Sequence, residues 1–206
     1  MRNLLIRSIA SALLCAAPLA PALATFETPA DKAAAADAAQ SALADMQSTF
    51  GRDALPPGKF LWKSAAGAVG VTRVVVSLSD QLAFAYSGDD LIGVSSISSG
   101  TDERPTPTGI FPILDKERMH RSIKYDNAPM PFMQRLDDYG VALHGGNLPG
   151  YPASHGCVRL PPQFAAKLFA ATAIGTEVVI GDPGAERAIE YTEDTQAGGE
   201  DSAALR

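Results

Sequence analysis

The sequence predicts a mainly β domain, on three observations. Short β-branched or aromatic runs recur between residues 73 and 180, turn residues separate them, and only one segment in that span has a clear helical stripe. Nothing repeats at a fixed period.

In chain order, residues 1–24 carry Arg2 and Arg7, an Ala- and Leu-rich run over 8–21, and Ala22-Leu23-Ala24, the small-x-small pattern at which a signal peptidase cuts. The run is too short, and too broken by Pro18 and Pro21, to span a bilayer, which takes about 20 apolar residues. Residues 1–24 are therefore expected to be a signal peptide, and the mature chain an exported, periplasmic or cell-envelope protein beginning near Thr25. Lipidation of Cys15 is the competing reading, against which the bulky Leu14 stands. Losing residues 1–24 removes two arginines, so the formal net charge moves from −6 to −8. That balance argues against a nucleic-acid partner and gives no electrostatic reason to bind an anionic membrane.

Residues 25–69 are expected as a helical spacer or lead-in. The stretch 31–46 is rich in alanine, but Leu43 and Met46 are its only large apolar residues, a stripe too thin to define a core alone. Pro56-Pro57-Gly58 stops it. The folded body is expected over 70–182. Residues 73–77 and 82–86 read as strands around Ser79-Asp80-Gln81, and a turn at 87–90 leads to a further strand at 91–98. Pro107-Thr108-Gly109 leads into a strand at 110–114, and 140–144 reads as another. Pro161 and Pro162 suit a helix entry, Phe164, Leu168 and Phe169 share one face, and Gly175 suits its end. A β-branched strand at 176–180 closes the domain. Residues 183–206 are expected to be an acidic, disordered tail, with six acids against Arg187 and Arg206.

The chemistry concentrates between His144 and Leu160. This segment holds two of the three histidines and, once Cys15 has left with the signal, the one cysteine of the mature chain. A lone thiol in an oxidising compartment is buried and inert, paired between chains, or a nucleophile. A free thiol is mostly protonated at neutral pH, with a pKa of ~8.5, so attack on an amide calls for a neighbouring base. His144, at a strand end, is returned towards Cys157 by the intervening Gly- and Pro-containing loop. Backbone N–H groups at Gly156 and Cys157 suit an oxyanion, and Arg159 suits a substrate carboxylate. A zinc site built from His144, His155 and Cys157 is the alternative of a different class. His120 reads as an exposed loop residue in a charged run; Tyr125, Met130, Pro131, Phe132 and Met133 suit a wall over the cleft, with core packing the reading for most of them.

Ser154-His155-Gly156-Cys157-Val158-Arg159, preceded by a strand-end His144, resembles the signature of the L,D-transpeptidase catalytic domain, the YkuD domain. Pro105-Thr106-Pro107-Thr108-Gly109 is similar to that family's segment before a central strand. The resemblance implies an L,D-transpeptidase-like (YkuD) β-sandwich or barrel-like domain with one or two short helices. It implies Cys157 as the acylated nucleophile, His144 as its base oriented by the Gly145 carbonyl, and His155 as an electrostatic or positioning aid. It assigns the oxyanion to the amides of Gly156 and Cys157, a substrate contact to Ser154, and to Arg159 either a stem carboxylate or stabilisation of the loop. The implied reaction acts on peptidoglycan stem peptides. Cys157 expels D-alanine from a tetrapeptide, and the thioester passes to an amine acceptor, without metal or organic cofactor. The acceptor is a neighbouring stem or a cell-wall-attached protein; an L,D-carboxypeptidase or other cysteine hydrolase using the same pair is the alternative. Nine residues separate His144 from Ser154, fewer than in the family's usual loop. Papain-like peptidases place the cysteine first, and sortases need a downstream arginine that here exists only in the tail.

Overall fold

The computed structural model describes residues 27–63 and 70–185. The expected signal peptide, and the expected tail beyond residue 185, lie outside the described residues.

Helix α1 (Pro29–Phe50) opens the described chain. Thr28 caps it: the Asp31 amide donates to Thr28 Oγ1 at 3.1 Å, with Asp31 reaching back in a capping box, and Pro29 fits the first turn. Gly51, at φ 64°, ends it in the left-handed conformation that glycine adopts without strain. Ten strands and a second helix follow: β1 (Phe60–Trp62), β2 (Arg73–Ser77), β3 (Leu82–Ser87), β4 (Asp90–Ser96), β5 (Gly109–Pro112), β6 (Asp115–Ser122), β7 (Ala128–Arg135), β8 (Ala142–Gly145), β9 (Val158–Leu160), α2 (Pro162–Ala171) and β10 (Glu177–Gly181).

The strands form a six-stranded sheet, ordered β1-β4-β3-β2-β10-β5, and a four-stranded sheet, ordered β6-β7-β8-β9. The main core lies between them. Val74, Val76, Ala83, Ala85, Val178 and Ile180 from the larger sheet meet Leu143, Val158 and Leu160 from the smaller one, with Phe164 and Leu168 of α2. The alternate residues of the same strands, Val75, Leu82, Phe84, Tyr86 and Val179, face the other way and are covered by α1 through Ala35, Ala39, Ala42 and Met46. Burial on both faces is why β2 reads as an unbroken valine run instead of an alternating one.

Within the 25–69 stretch, α1 and β1 pack onto the larger sheet. The α1 alanines carry little apolar surface, but their small side chains let the helix backbone approach closely: a Cβ placed on Gly181 would lie 2.1 Å from the Ala35 carbonyl oxygen. Tyr86 Oη donates to Asp45 Oδ2 at 2.8 Å and anchors the helix further. β1 adds an edge strand, pairing Phe60 with Ser95 and Trp62 with Gly93, and Trp62 packs edge-on against Phe164 at 5.4 Å.

β6 and β7 form a long hairpin that was not expected from the sequence. Its ladder is interrupted between the Glu117–Met133 and Met119–Pro131 pairs, where Phe132 holds a left-handed φ of 58°. At the base of the hairpin Lys116 Nζ donates to the carbonyls of Phe169 and Thr172, at 2.7 and 2.6 Å, neutralising the exposed acceptors at the end of α2.

Candidate active site

β8 and β9 run parallel, with Leu143 opposite Val158 and His144 opposite Arg159. Side chains alternate along a strand, and paired residues share a face. Leu143, Val158 and Leu160 therefore enter the core, while His144, Arg159 and the residues two positions before them, Ala142 and Cys157, turn to the opposite face. Cys157, just before β9, and His144 are thus on the same face, and both line one cavity. The apolar alternation that builds the core is what brings thiol, imidazole and guanidinium together.

The turn before Cys157 is tightly specified. Gly156 has φ 110°, a conformation that L side chains rarely adopt. Ser154 is buried; its Oγ accepts from the Gly156 amide at 3.1 Å and donates to the Cys157 carbonyl at 2.5 Å. Both groups expected at the substrate are thus engaged within the turn, the Gly156 amide by Ser154 and the Ser154 hydroxyl by the Cys157 carbonyl. The turn is fastened to the segment that follows β4: Ser99 O accepts from Ala153 and Ser154 amides at 3.0 and 2.9 Å, and Ser98 exchanges two backbone bonds of 3.0 Å with Arg159.

His144 is 7% exposed, and its Nδ1 lies 2.9 Å from the Gly145 carbonyl. With the Nδ1 proton donated there, Nε2 carries the lone pair. Burial is the main force holding this imidazole below its ordinary pKa of 6.5; the Gly145 bond opposes it, while the charges of Arg159 and His120 add to it. The His144 imidazole therefore rests neutral at pH 7. Gly145 is confined: a Cβ there would lie 3.2 Å from Pro131 Cγ and 3.3 Å from Pro162 Cα.

Cys157 is half-buried, and its thiol donates to the Gly140 carbonyl at 3.5 Å. Burial pushes the thiol above its ordinary value of 9.0; the Asp137 charge acts in the same direction, and the Ala142 amide and Arg159 pull it down. Sequence reasoning missed the turn that presents Gly140. Asp137 Oδ1 accepts from the amides of Tyr139, Gly140 and Val141 at 2.9, 2.8 and 2.8 Å. The signal was available as Asp-x-x-Gly, an aspartate that hydrogen-bonds the backbone ahead of it.

His155 is exposed and stacks on Tyr125 from the β6–β7 turn, with ring centroids 4.4 Å apart and planes at 13°. Tyr125 thus borders the site, the wall position that the sequence left open for it. The Arg159 stem lies over Gly146, and among the described residues its guanidinium has no hydrogen-bond or ion-pair partner. Also among the described residues, no three His, Cys, Asp or Glu side chains converge as a metal-binding set. No described helix is long and apolar enough to cross a membrane.

Two cavities open onto the sulfur. One, of about 240 Å³, is lined by His144, Ser154, His155, Cys157 and Arg159. The other, of about 290 Å³, runs from Cys157 across the face of the smaller sheet to β6. Cys157, His155, Tyr125 and Met130 border both.

A lone thiol beside a buried neutral imidazole, carried on a parallel strand pair of a two-sheet β scaffold, defines a cysteine–histidine site at the mouth of two clefts. The family model of the L,D-transpeptidase catalytic domain, YkuD, matches residues 71–180, and the chain belongs to that family. It is 29% identical over 147 residues to L,D-transpeptidase 1 of Mycobacterium tuberculosis H37Rv, an alignment covering 53% of this chain and 57% of that one. The chain thus spans just over half the length of that relative. Among solved structures, an L,D-transpeptidase from the same organism superposes with a TM-score of 0.50 at 24% identity, over 52% of this chain and 56% of the other. L,D-transpeptidase 3 of Mycobacterium tuberculosis, solved with a faropenem-derived adduct, gives 0.50 at 23%, over 54% and 60%. These two likenesses are of fold.

Proposed function

We propose that this chain is an exported L,D-transpeptidase that carries a peptidoglycan stem peptide as a thioester on Cys157 and passes it to an amine. The observation that carries the reading is the buried imidazole of His144, tied by Nδ1 to Gly145 and lining one cavity with the Cys157 thiol and the Arg159 side chain.

In the first half-reaction the thiol turns from Gly140 to His144 Nε2 and gives up its proton as sulfur attacks the stem carbonyl. The C–N bond breaks, and D-alanine leaves with the proton that His144 returns. Because both partners rest neutral, proton transfer accompanies attack instead of preceding it. The developing oxyanion falls to the Cys157 amide, since Ser154 holds that of Gly156. Arg159, without an ion-pair partner among the described residues, meets a stem carboxylate in the smaller cavity. The larger cavity gives the acceptor a separate approach to the same carbonyl. His155, stacked on Tyr125, shapes the boundary between them.

Residues 1–24 act as the export signal in this reading, the periplasm or cell envelope is the site of action, and the acceptor is another stem or a cell-wall protein. Intact-protein mass spectrometry after mixing with a purified disaccharide-tetrapeptide tests it. The expected result is a thioester on the wild type, none on Cys157→Ala, and a cross-linked dimer on longer incubation. A folded Cys157→Ala protein that still releases D-alanine overturns the nucleophile. Accumulation of free tripeptide without dimer replaces transpeptidation by hydrolysis.

A further inference from the structure

The second half-reaction must take two protons from one nitrogen. An acceptor amine arrives as an ammonium and loses one proton before it can attack and another as the amide forms, and His144, neutral again once D-alanine has left, carries only one of them to sulfur. The larger cavity contains a second imidazole. His120 Nδ1 lies 3.0 Å from Glu117 Oε2, which fixes the ring through that nitrogen and leaves Nε2 as the free lone pair. Carboxylate, imidazole and Cys157 all line this one cavity.

The placement has a backbone cause. On a regular strand Glu117 and His120, three apart, would point to opposite faces. In this hairpin the cavity is lined by odd-numbered residues on one side of the ladder interruption, Glu117 with Met133, and by even-numbered ones on the other, His120 with Met130. The exchange of faces falls at Phe132, whose φ of 58° is a genuine outlier for a bulky residue and is retained only when surrounding packing imposes it. Phe132 packs on Phe169 at 6.0 Å with Arg118 over its ring at 5.7 Å. A strained residue that turns an imidazole into the cleft, beside the carboxylate that orients it, is the arrangement of a base.

We propose that His120, oriented by Glu117, is the general base of the transfer step. This rests on the acyl-enzyme reading above. The acceptor ammonium gives one proton to His120 Nε2, and its nitrogen bonds the thioester carbon. On collapse the C–S bond breaks, the nitrogen's second proton passes through His144 to sulfur, and the thiol is restored. His120 then releases its proton to water, so one amide, one thiol and one proton are formed from thioester and ammonium.

Two rates are measured separately on the full chain: thioester formation from the disaccharide-tetrapeptide, and its decay on adding D-alanine or, separately, hydroxylamine, an acceptor unprotonated at neutral pH. His120→Gln is expected to lower the ratio of transfer to acylation with D-alanine by about 10²-fold, as loss of a general base does. Added imidazole restores much of that ratio, hydroxylamine is affected several-fold less, and Glu117→Gln falls between. An equal loss in both half-reactions, or an unchanged ratio, overturns the assignment, as does a loss that is the same for both acceptors. Absence of any thioester on the wild type overturns both readings; a thioester whose transfer ignores His120 overturns this one alone.

Discussion

At pH 7 the nucleophile is expected to be a thiol, not a thiolate, and this can be measured directly. A thiol at its ordinary value of 9.0 is about 1% ionised at pH 7. Burial and the nearby Asp137 move Cys157 upward, so its thiolate fraction lies below that level, while burial keeps His144 below 6.5 and therefore unprotonated. The perturbation is pH, with His144→Ala as the second arm; the assay is the thiolate absorbance difference between the wild type and Cys157→Ser, read beside kcat/KM for acylation. The expected absorbance difference is negligible through neutral pH. The rate rises with pH only below 6.5, as the imidazole loses its proton, and is then level. His144→Ala lowers the rate about 10²–10⁴-fold without changing the thiolate signal at pH 7, because it removes a base and not an ion-pair partner. A difference approaching one thiolate per chain at pH 6–7, abolished in His144→Ala, would refute the neutral-pair mechanism.

The same shifts set a stability window. His144 binds its proton less tightly folded than unfolded, so stability falls as pH drops below 6.5; Cys157 holds its proton more tightly folded, so stability falls again as pH rises above 9.0. Chemical denaturation across that range should show both limbs, the alkaline one flattened in Cys157→Ala. Gly156→Ala places a side chain at φ 110° and is expected to destabilise the fold by about 1–3 kcal/mol and to reduce acylation far more than it lowers Tm. Unchanged acylation would show that the turn tolerates another geometry. Met46→Ala empties a fully buried position under α1 and should destabilise by about 2–5 kcal/mol in denaturant titration. A loss under about 0.5 kcal/mol would mean that the helix contributes little to the fold.

The His144–Arg159 segment was legible because rare residue types crowd into a short motif whose spacing the parallel β8–β9 pair reproduces. β2, β3, β4, β5, β8 and β10 were legible as apolar runs between turn residues. β6 was not: its Lys, Glu, Arg and His occupy a largely exposed edge strand, which needs no apolar alternation. β7 carries Pro129 and Pro131, a pattern that argues against a strand unless an irregular partner tolerates it. With the hairpin unseen, His120 read as loop, and Tyr125 stood between cleft wall and core. The hydrogen bonds that Ser154 and Gly156 make inside the turn were hidden for another reason. A motif says which residues gather, but whether a hydroxyl and an amide satisfy each other or a ligand depends on a dihedral angle that no spacing encodes. The docking of α1 was hidden because alanine buries closely while contributing almost nothing to an apolar stripe.

The position of that helix bears on how this protein can be divided. The family match begins at residue 71, yet the layer that keeps Phe84, Leu82, Val75 and Val179 dry ends at Phe50. A polypeptide started at the homology boundary would present a flat plate of aromatic and branched side chains to water, an invitation to self-association. Expression trials, crystallisation and any transplant of this catalytic unit into another chain should therefore begin upstream of Thr28. The border suggested by likeness runs through the middle of a core.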